Sequence, residues 1–324
     1  MGNKHGIEKI AVIGAGVMGH GIAQEFAIAG FDVRLTARSE LSLHRAVANI
    51  KANTARLLAM GKIDSRQVQL ATDNVTTTTS IPDAVDNVDM VMEYVAEDLS
   101  VKKHIFAQLD KFCPDRTILI TGTSSLMPSD IAVATNRPDK VLAAHYANPP
   151  YLLPFVEIIG AKECSETSIQ TTVNLLRKMG KQPVVLKKEI PGFAAMRLQG
   201  ALLREALWLV EKGVLNPSDV DTIIKTGIGR RWSVAGVFEV FDLAGWDLIE
   251  SIGQWLFPHL ENSSKIPSIL QRKIQDKTLG VKTGEGFYKW SSDSEETLRK
   301  RIANALVEID NWPSDNVGSN QNHE

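Results

Sequence analysis

Short apolar runs and longer amphipathic stretches alternate along the first part of the chain. Mostly apolar runs that are typical of buried parallel strands occupy residues 9–13, 88–93, 117–121 and 141–145, and residues 32–36 form the predicted second strand. Beyond Pro191-Gly192 the pattern becomes helical, with a long amphipathic stretch over residues 197–211. The whole pattern predicts an α/β fold. In the predicted fold, a doubly wound, mostly parallel sheet covers residues 1–189, an all-α domain covers 190–312, and a flexible polar tail covers 313–324.

Length and composition agree with two domains and narrow the range of partners. The chain has 324 residues, of which 44% are hydrophobic and 23% charged, and this composition is ordinary for a globular protein. A formal net charge of -2 without a basic block disfavours nucleic-acid and membrane-surface partners. Cys113 and Cys164 stand alone without metal-ligand spacing, so we expect packing roles, no metal site and a reducing compartment. Because no signal-like or membrane-length apolar run is present, we expect a cytoplasmic protein.

A glycine-rich turn follows the first predicted strand and opens a helix. It reads Gly14-Ala-Gly16-Val17-Met18-Gly19. In this order the glycines permit a tight turn, backbone access for a pyrophosphate and close helix packing, while the helix N-terminus favours the phosphate charge. The turn therefore predicts a Rossmann-like dinucleotide site formed by Gly14, Gly16, Val17, Met18 and Gly19.

The end of the second strand bears on the choice of cofactor. An acid that accepts hydrogen bonds from the adenosine ribose is usual there, but this chain continues Ala37-Arg38-Ser39. Arg38 can bind a 2′-phosphate bidentately and Ser39 can donate to it, which favours NADP over NAD. NAD stays open, because Arg38 can also stack over adenine in a solvated loop and Glu40 lies close enough to replace the acid.

Polar residues cluster at the ends of the later strands. Glu97 and Lys102 follow the strand at 88–93 and are candidate cofactor or substrate contacts, with a simple helix cap as the alternative. Ser124 and His145 follow neighbouring strands, so both fall at the same edge of a parallel sheet. A neutral imidazole at His145 can take the proton of a secondary alcohol that loses hydride to nicotinamide, while Ser124 binds the alcohol oxygen. Asn148, three residues on, is a candidate contact of the nicotinamide or the substrate.

Over nearly its whole length the chain resembles the 3-hydroxyacyl-CoA dehydrogenase family. The resemblance rests on the glycine turn, Thr123-Ser-Ser-Leu126, His145 with Asn148-Pro, Val156-Glu157, Pro191-Gly-Phe193 with Arg197-Leu198, and Lys282-Thr-Gly-Glu-Gly-Phe-Tyr288. It implies that His145 is the catalytic acid and base, that Glu157 orients it, and that Ser124 binds the substrate oxygen. It also implies that helices of the C-terminal domain pair two subunits into a homodimer.

Two departures from the family pattern concern the substrate. Met196 stands where the family has an asparagine in Pro-Gly-Phe-x-x-Asn-Arg, and Gly122 replaces the usual asparagine before Thr-Ser-Ser. Loss of two amides should weaken recognition of an acyl thioester. We list Met196 among the substrate-site residues for this reason.

The C-terminal sequence is similar to a branch of the family that acts on short free hydroxy acids. That branch includes lambda-crystallin type L-gulonate 3-dehydrogenase and L-carnitine dehydrogenase. A Gly-Met-Arg-aromatic run of the branch falls at Gly229-Arg230-Arg231-Trp232, so Arg231 is our candidate for binding a substrate carboxylate, with a surface arginine as the alternative.

Three hypotheses follow from these residues. The first is an NAD(P)-dependent dehydrogenase of a short 3-hydroxy acid or its 3-oxo acid. The second keeps the chemistry but takes a 3-hydroxyacyl-CoA such as 3-hydroxybutyryl-CoA. The third is a non-catalytic, crystallin-like dinucleotide-binding protein, which the presence of Ser124, His145 and Glu157 disfavours.

Overall fold

The computed structural model describes residues 6–310 and residue 312. The chain divides into two compact units, of which the first ends at Arg197 and the second begins at Leu198. The tail predicted over 313–324 lies outside the described residues.

The first unit contains a single eight-stranded sheet. Its strand order is β3-β2-β1-β4-β5-β6-β7-β8, and all neighbouring strands run parallel except β6 and β7. The strands are β1 Lys9–Ile13, β2 Asp32–Thr36, β3 Val75–Thr78, β4 Met90–Glu93, β5 Ile118–Thr121, β6 Val141–Tyr146, β7 Phe155–Gly160 and β8 Gln182–Val185. The predicted α/β class with a doubly wound, mostly parallel sheet is confirmed.

Helices cover both faces of this sheet because alternate strand residues point to opposite sides. In β1, Ile10 and Val12 pack in the cluster that includes α1, whereas Ala11 and Ile13 pack in the cluster that includes α5. The helices are α1 Val17–Ile28, α2 Glu40–Ala59, α3 Ser65–Asp73, α4 Ile81–Val85, α5 Leu99–Phe112, α6 Pro128–Ala132 and α7 Glu166–Lys178.

The first unit also takes in residues 190–197, which the predicted boundary at residue 189 leaves outside. Phe193 is fully buried, and the helix α8 (Ala194–Glu211) begins directly after it. The backbone N–H groups of Ala194 and Ala195 donate to Glu157 in β7, so the start of α8 is tied to the sheet.

The second unit is helical, as predicted, with two isolated β-bridges at residues 280–289. Its helices after α8 are α9 Pro217–Ile223, α10 Gly229–Trp232, α11 Val237–Ala244, α12 Trp246–Leu256, α13 Ser268–Gln275 and α14 Ser292–Ile309. A π-helical turn at Ile224–Ile228 joins α9 to α10. Among the described residues of this unit, the buried apolar side chains are Leu207, Val240 and Ala303. None of the described helices of either unit is both long and apolar enough to cross a membrane.

Candidate active site

The glycine turn has the backbone geometry that a dinucleotide site requires. Gly14 has a φ of +107°, and a Cβ there would lie 2.4 Å from the carbonyl oxygen of Tyr94. A Cβ on Gly19 would lie 1.7 Å from the carbonyl oxygen of Gly14, so only glycine lets α1 approach the turn. At Gly16, the N-cap of α1, a Cβ would meet nothing within 4 Å, and no side chain caps the helix. The N–H groups of the first turn, which includes Val17 and Met18, are therefore open to a pyrophosphate.

Of the two residues Arg38 and Ser39, which follow β2, Ser39 caps a helix and Arg38 is an unpaired cation among the described residues. Ser39 is the N-cap of α2, because its hydroxyl accepts a hydrogen bond of 3.3 Å from the backbone N–H of Ser42. Arg38 is exposed and has no hydrogen bond or ion pair with any residue that the structure describes. Of the two residues predicted to hold a 2′-phosphate, only Arg38 is unengaged.

Lys102 is buried, whereas a residue that contacts the cofactor directly would be accessible at the surface of the site. Its side chain is 1% exposed, and Nζ donates to both oxygens of Glu93, over 2.8 and 3.0 Å. Thr121 donates to the same carboxylate over 2.7 Å. The expected role of Lys102 as a direct contact is corrected by this geometry: the charge pair is internal and fixes the end of β4 to α5.

Glu97 links the pair of Glu93 and Lys102 to residues 123–125, the segment that carries the predicted substrate ligand Ser124. Its Oε2 lies 3.6 Å from Lys102 Nζ, while Oε1 accepts from the Thr123 hydroxyl over 2.6 Å and from the backbone N–H of Ser124 over 3.0 Å. Burial opposes ionisation of Glu97, but these hydrogen bonds and the Lys102 charge together lower its pKa. The Ser124 backbone is held in this way, whereas its hydroxyl makes no hydrogen bond to any described residue and faces no competing partner.

His145 and Glu157 form the central pair of the site. The antiparallel register of β6 and β7 places them directly opposite each other, and His145 Nδ1 lies 3.1 Å from Glu157 Oε2. The side chains are 12% and 1% exposed, respectively. A carboxylate only accepts hydrogen bonds, so Nδ1 carries the proton and Nε2 is left as the base.

The segment after β8 completes the surroundings of this pair. Glu157 Oε1 accepts from Ala194 N–H over 2.7 Å and from Ala195 N–H over 3.0 Å, at the start of α8, where the helix dipole favours a negative charge. Phe193 packs against the imidazole with ring centroids 6.0 Å apart. It has a φ of +49°, a conformation that costs about 1 kcal/mol or more in a non-glycine residue. The Pro-Gly-Phe signature is visible in the sequence, but this supporting role was missed.

The loop between β6 and β7 is tied to the cofactor helix by a buried lysine that sequence reasoning also missed. Lys181 Nζ donates to the carbonyl oxygen of Pro150 over 2.6 Å and pairs with Glu25 in α1. Burial raises the pKa of Glu25, although the Lys181 charge favours its ionised form. Gly21 leaves room for Pro150, since a Cβ there would lie 2.7 Å from the proline ring. The loop that carries Asn148 is thereby held against α1.

The remaining predicted contacts are exposed. Asn148 lies in this loop before a cis peptide bond to Pro149, and Met196, 40% exposed, lies in the first turn of α8. Arg231 belongs to the second unit, where it is exposed in α10.

Within residues 6–310 and residue 312, no group of three or more His, Cys, Asp or Glu side chains could hold a metal ion. Burial raises the pKa of both Cys113 and Cys164 to about 12, as expected for packing thiols.

Family models match nearly all of the first unit and most of the second. The model described as 3-hydroxyacyl-CoA dehydrogenase, NAD binding domain, matches residues 9–190, and the C-terminal domain of the same enzyme matches residues 192–290. The chain belongs to the 3-hydroxyacyl-CoA dehydrogenase family. The resemblance predicted from the motifs is confirmed, and the chain is an NAD-binding oxidoreductase that acts on an alcohol group.

Individual relatives of the chain cover most of its length. It is 32% identical to the 5-formyl-3-hydroxy-2-methylpyridine 4-carboxylate 5-dehydrogenase of Mesorhizobium japonicum, over 94% of this chain and 97% of that one. A solved structure of an enzyme of this activity, described as an NAD+-dependent dismutase, superposes with a TM-score of 0.88 over 94% of this chain and 97% of that one. The 3-hydroxybutyryl-CoA dehydrogenase of Clostridioides difficile is 33% identical over 87% and 99% of the two chains, and the human lambda-crystallin homolog is 36% identical over 72% and 74%.

Proposed function

We propose that this family member transfers hydride between a nicotinamide dinucleotide and a short free 3-hydroxy acid, with His145 as the acid and base. The observation that carries the proposal is the buried hydrogen bond between His145 Nδ1 and Glu157. It orients the imidazole and leaves Nε2 to remove the hydroxyl proton. Ser124 positions the alcohol oxygen through its free hydroxyl.

The dinucleotide fits the glycine turn, where Gly14, Gly16 and Gly19 keep the start of α1 open. When bound, it supplies the hydride acceptor or donor. In the oxidative direction, the proton of the alcohol passes to His145 Nε2. In the reductive direction, protonated His145 returns it to the substrate oxygen, and Glu157 stabilises the imidazolium.

The substitution His145→Gln tests this assignment. It should lower kcat/KM by about 10²–10⁴-fold, the usual contribution of a positioned acid and base, while NADH binding and the melting temperature change little. His104→Gln, an exposed histidine of α5, is the matched control. Turnover within threefold of the wild type in His145→Gln would refute the role.

Two features support a free acid over a CoA thioester. Met196 and Gly122 remove the amides of the family pattern, and the Mesorhizobium japonicum relative acts on a small pyridine carboxylate. We assign the substrate carboxylate to Arg231. Loss of a charge-assisted hydrogen bond should raise the KM for the acid by about tenfold or more in Arg231→Leu, whereas the neighbouring Arg230→Leu serves as control. Turnover of 3-hydroxybutyryl-CoA and of no free acid would favour the thioester instead.

An aldehyde is a second candidate substrate, favoured by the similarity to the dismutase over both units of the chain. The hydrate of an aldehyde carries a CH(OH)₂ group. His145 can take a proton from that group as it takes one from an alcohol, and loss of hydride then yields the acid. Incubation with NAD and an aromatic aldehyde carboxylate tests this. Equal amounts of acid and alcohol, without net NADH, are the expected products of a dismutase.

For the cofactor, we propose that NAD is used and that Arg38 decides whether NADP is accepted as well. The match to an NAD binding domain supports NAD. Titration with NADH and NADPH of the wild type, Arg38→Ala and the control Arg177→Ala distinguishes the two. If the wild type binds NADPH more tightly than NADH, and if only Arg38→Ala loses this preference, NADP is the cofactor.

We propose further that two copies of the chain associate through the second unit, in the cytoplasm. The exposed apolar side chains of α11 and α12, such as Phe238 and Trp255, support an association of this kind. Sedimentation equilibrium of the purified chain tests it, with a single species at the monomer mass as the contrary result.

A further inference from the structure

One aromatic side chain lies where three functional segments of the first unit meet. Tyr94 directly follows β4, and its backbone N–H donates to the carbonyl oxygen of Ile13 over 2.7 Å, next to the glycine turn. Its own carbonyl oxygen lies 2.4 Å from the place of a Cβ on Gly14. At its far end, the hydroxyl donates to the carbonyl oxygen of Ala144, over 3.4 Å, and Ala144 precedes His145.

The ring of Tyr94 lies over Gly122 at the end of β5. A Cβ on Gly122 would lie 2.0 Å from Cε1, 2.4 Å from Cδ1 and 2.6 Å from Cζ of that ring. The ring cannot turn aside as a flexible chain end could, because its backbone is held by Ile13 and its hydroxyl by Ala144. The tyrosine and the missing side chain at 122 therefore form one complementary contact.

The contact of Tyr94 with Gly122 lies between the glycine turn and the strand that carries His145. A dinucleotide held by the glycine turn has to extend toward His145 for hydride to pass to a substrate whose hydroxyl that histidine deprotonates. Tyr94 contacts the glycine turn at one end and the strand of His145 at the other, and the residue as a whole is partly exposed. A ring held between these two segments would limit the space beside the reacting carbon.

We propose that Tyr94 and Gly122 are a specificity-determining pair: the ring, seated on the bare backbone of Gly122, restricts the site to small substrates. The inference rests on the proposed hydroxy-acid activity and adds what limits the size of the acid. Tyr94 serves as a wall rather than as an acid or base, since burial raises the pKa of its phenol well above the usual value.

The test uses Tyr94→Ala, Tyr94→Phe, Gly122→Ala and the double variant Tyr94→Ala/Gly122→Ala. The readouts are kcat/KM for hydroxy acids of increasing branching, NADH binding by fluorescence titration, and melting temperature. Tyr94→Ala should raise the ratio of kcat/KM for bulky over small acids by about tenfold or more, since a single methylene in a pocket changes such ratios by roughly 10–200-fold. Tyr94→Phe keeps the ring and should leave the ratio unchanged.

Gly122→Ala alone should lower both the melting temperature and NADH binding, and it should do neither in the Tyr94→Ala background. An unchanged ratio in Tyr94→Ala, with wild-type turnover intact, would overturn the inference and leave Tyr94 as a packing residue. A wild type that turns over only CoA thioesters would instead overturn the proposed substrate class, and the same ratio would then be read on thioesters of increasing acyl branching.

Discussion

The two units differ in which side chains they bury and which they expose. In the first unit, the sheet is covered on both faces, and charged groups such as Glu93, Lys102 and Glu157 are buried with full sets of partners. In the second unit, Leu243, Phe238 and Trp255 are 89%, 74% and 71% exposed. Both members of the proposed catalytic pair, His145 and Glu157, lie within the first unit, whereas the second unit exposes apolar surface that could bind another molecule.

The largest effect expected in the first unit is on turnover, through Glu157→Gln. The amide can still accept from Ala194 and Ala195, but it no longer fixes Nδ1 as the protonated nitrogen of His145. We expect kcat/KM to fall by about 10²–10⁴-fold with a melting temperature near that of the wild type. Steady-state kinetics would measure this, with the exposed Glu163→Gln as control. A tenth or more of wild-type activity would contradict the proposed orientation.

Breaking the internal charge pair should affect stability next. Lys102→Met leaves Glu93 buried without its cation, and loss of one partner of a buried pair costs about 3–5 kcal/mol. Urea unfolding would measure the change in the free energy of unfolding. Lys103→Met, one position on, should change it by less than about 0.5 kcal/mol. Equal effects of the two substitutions would mean that the pair contributes little.

A smaller effect is expected in the second unit, from Leu243→Ser. If a second copy covers α11, the dissociation constant of the dimer should rise about tenfold or more, because an apolar anchor is lost from its interface. Val133→Ser changes a side chain that is 73% exposed in the first unit and should leave the constant unchanged. Sedimentation equilibrium gives both values, and an unchanged dimer in Leu243→Ser would exclude this part of α11 from the interface.

The smallest effect should appear as a pH dependence at Glu97. Its pKa in the folded chain is lowered, so its ionised form stabilises the fold above the unfolded value of about 4.3, and this contribution is lost as the pH falls through the folded pKa. Because the carboxylate is partly exposed, we expect about 1 kcal/mol or less. Unfolding of wild type and Glu97→Gln between pH 7 and pH 3 should show a difference that shrinks on acidification. A difference that is constant with pH would contradict the assignment.

Local patterns predicted five of the eight described strands, missing β3, β7 and β8, and they did not predict the contacts between distant segments. The strand Lys9–Ile13 follows from the mostly apolar run that a buried parallel strand requires, and Val33 and Leu35 are the apolar residues of the strand Asp32–Thr36. The burial of Lys102 could not be predicted, because the start of α5 reads as an ordinary amphipathic helix and its partner Glu93 lies on another element.

The candidate site shows the same division. The proposed roles of His145 and Glu157 came from motifs, but the antiparallel strand β7 that sets them opposite each other was not among the predicted strands. The contact of Tyr94 with Gly122 joins the ends of two strands through a ring. No periodicity in the sequence reports such a contact, although the missing side chain at Gly122 is visible as a departure from the family pattern.

The cross-strand pairing of His145 with Glu157 has a consequence for redesign of the enzyme. The distance between the imidazole and the carboxylate is set by the ladder of β6 and β7, and not by the residues 147–154 that connect them. A slip of one residue in the ladder would send the two side chains to opposite faces and abolish the pair. A change in the loop that keeps the ladder, and keeps Pro150 against α1, should therefore leave the pair intact. Loop positions other than Asn148 and Pro150 are the natural places to graft recognition of a new substrate.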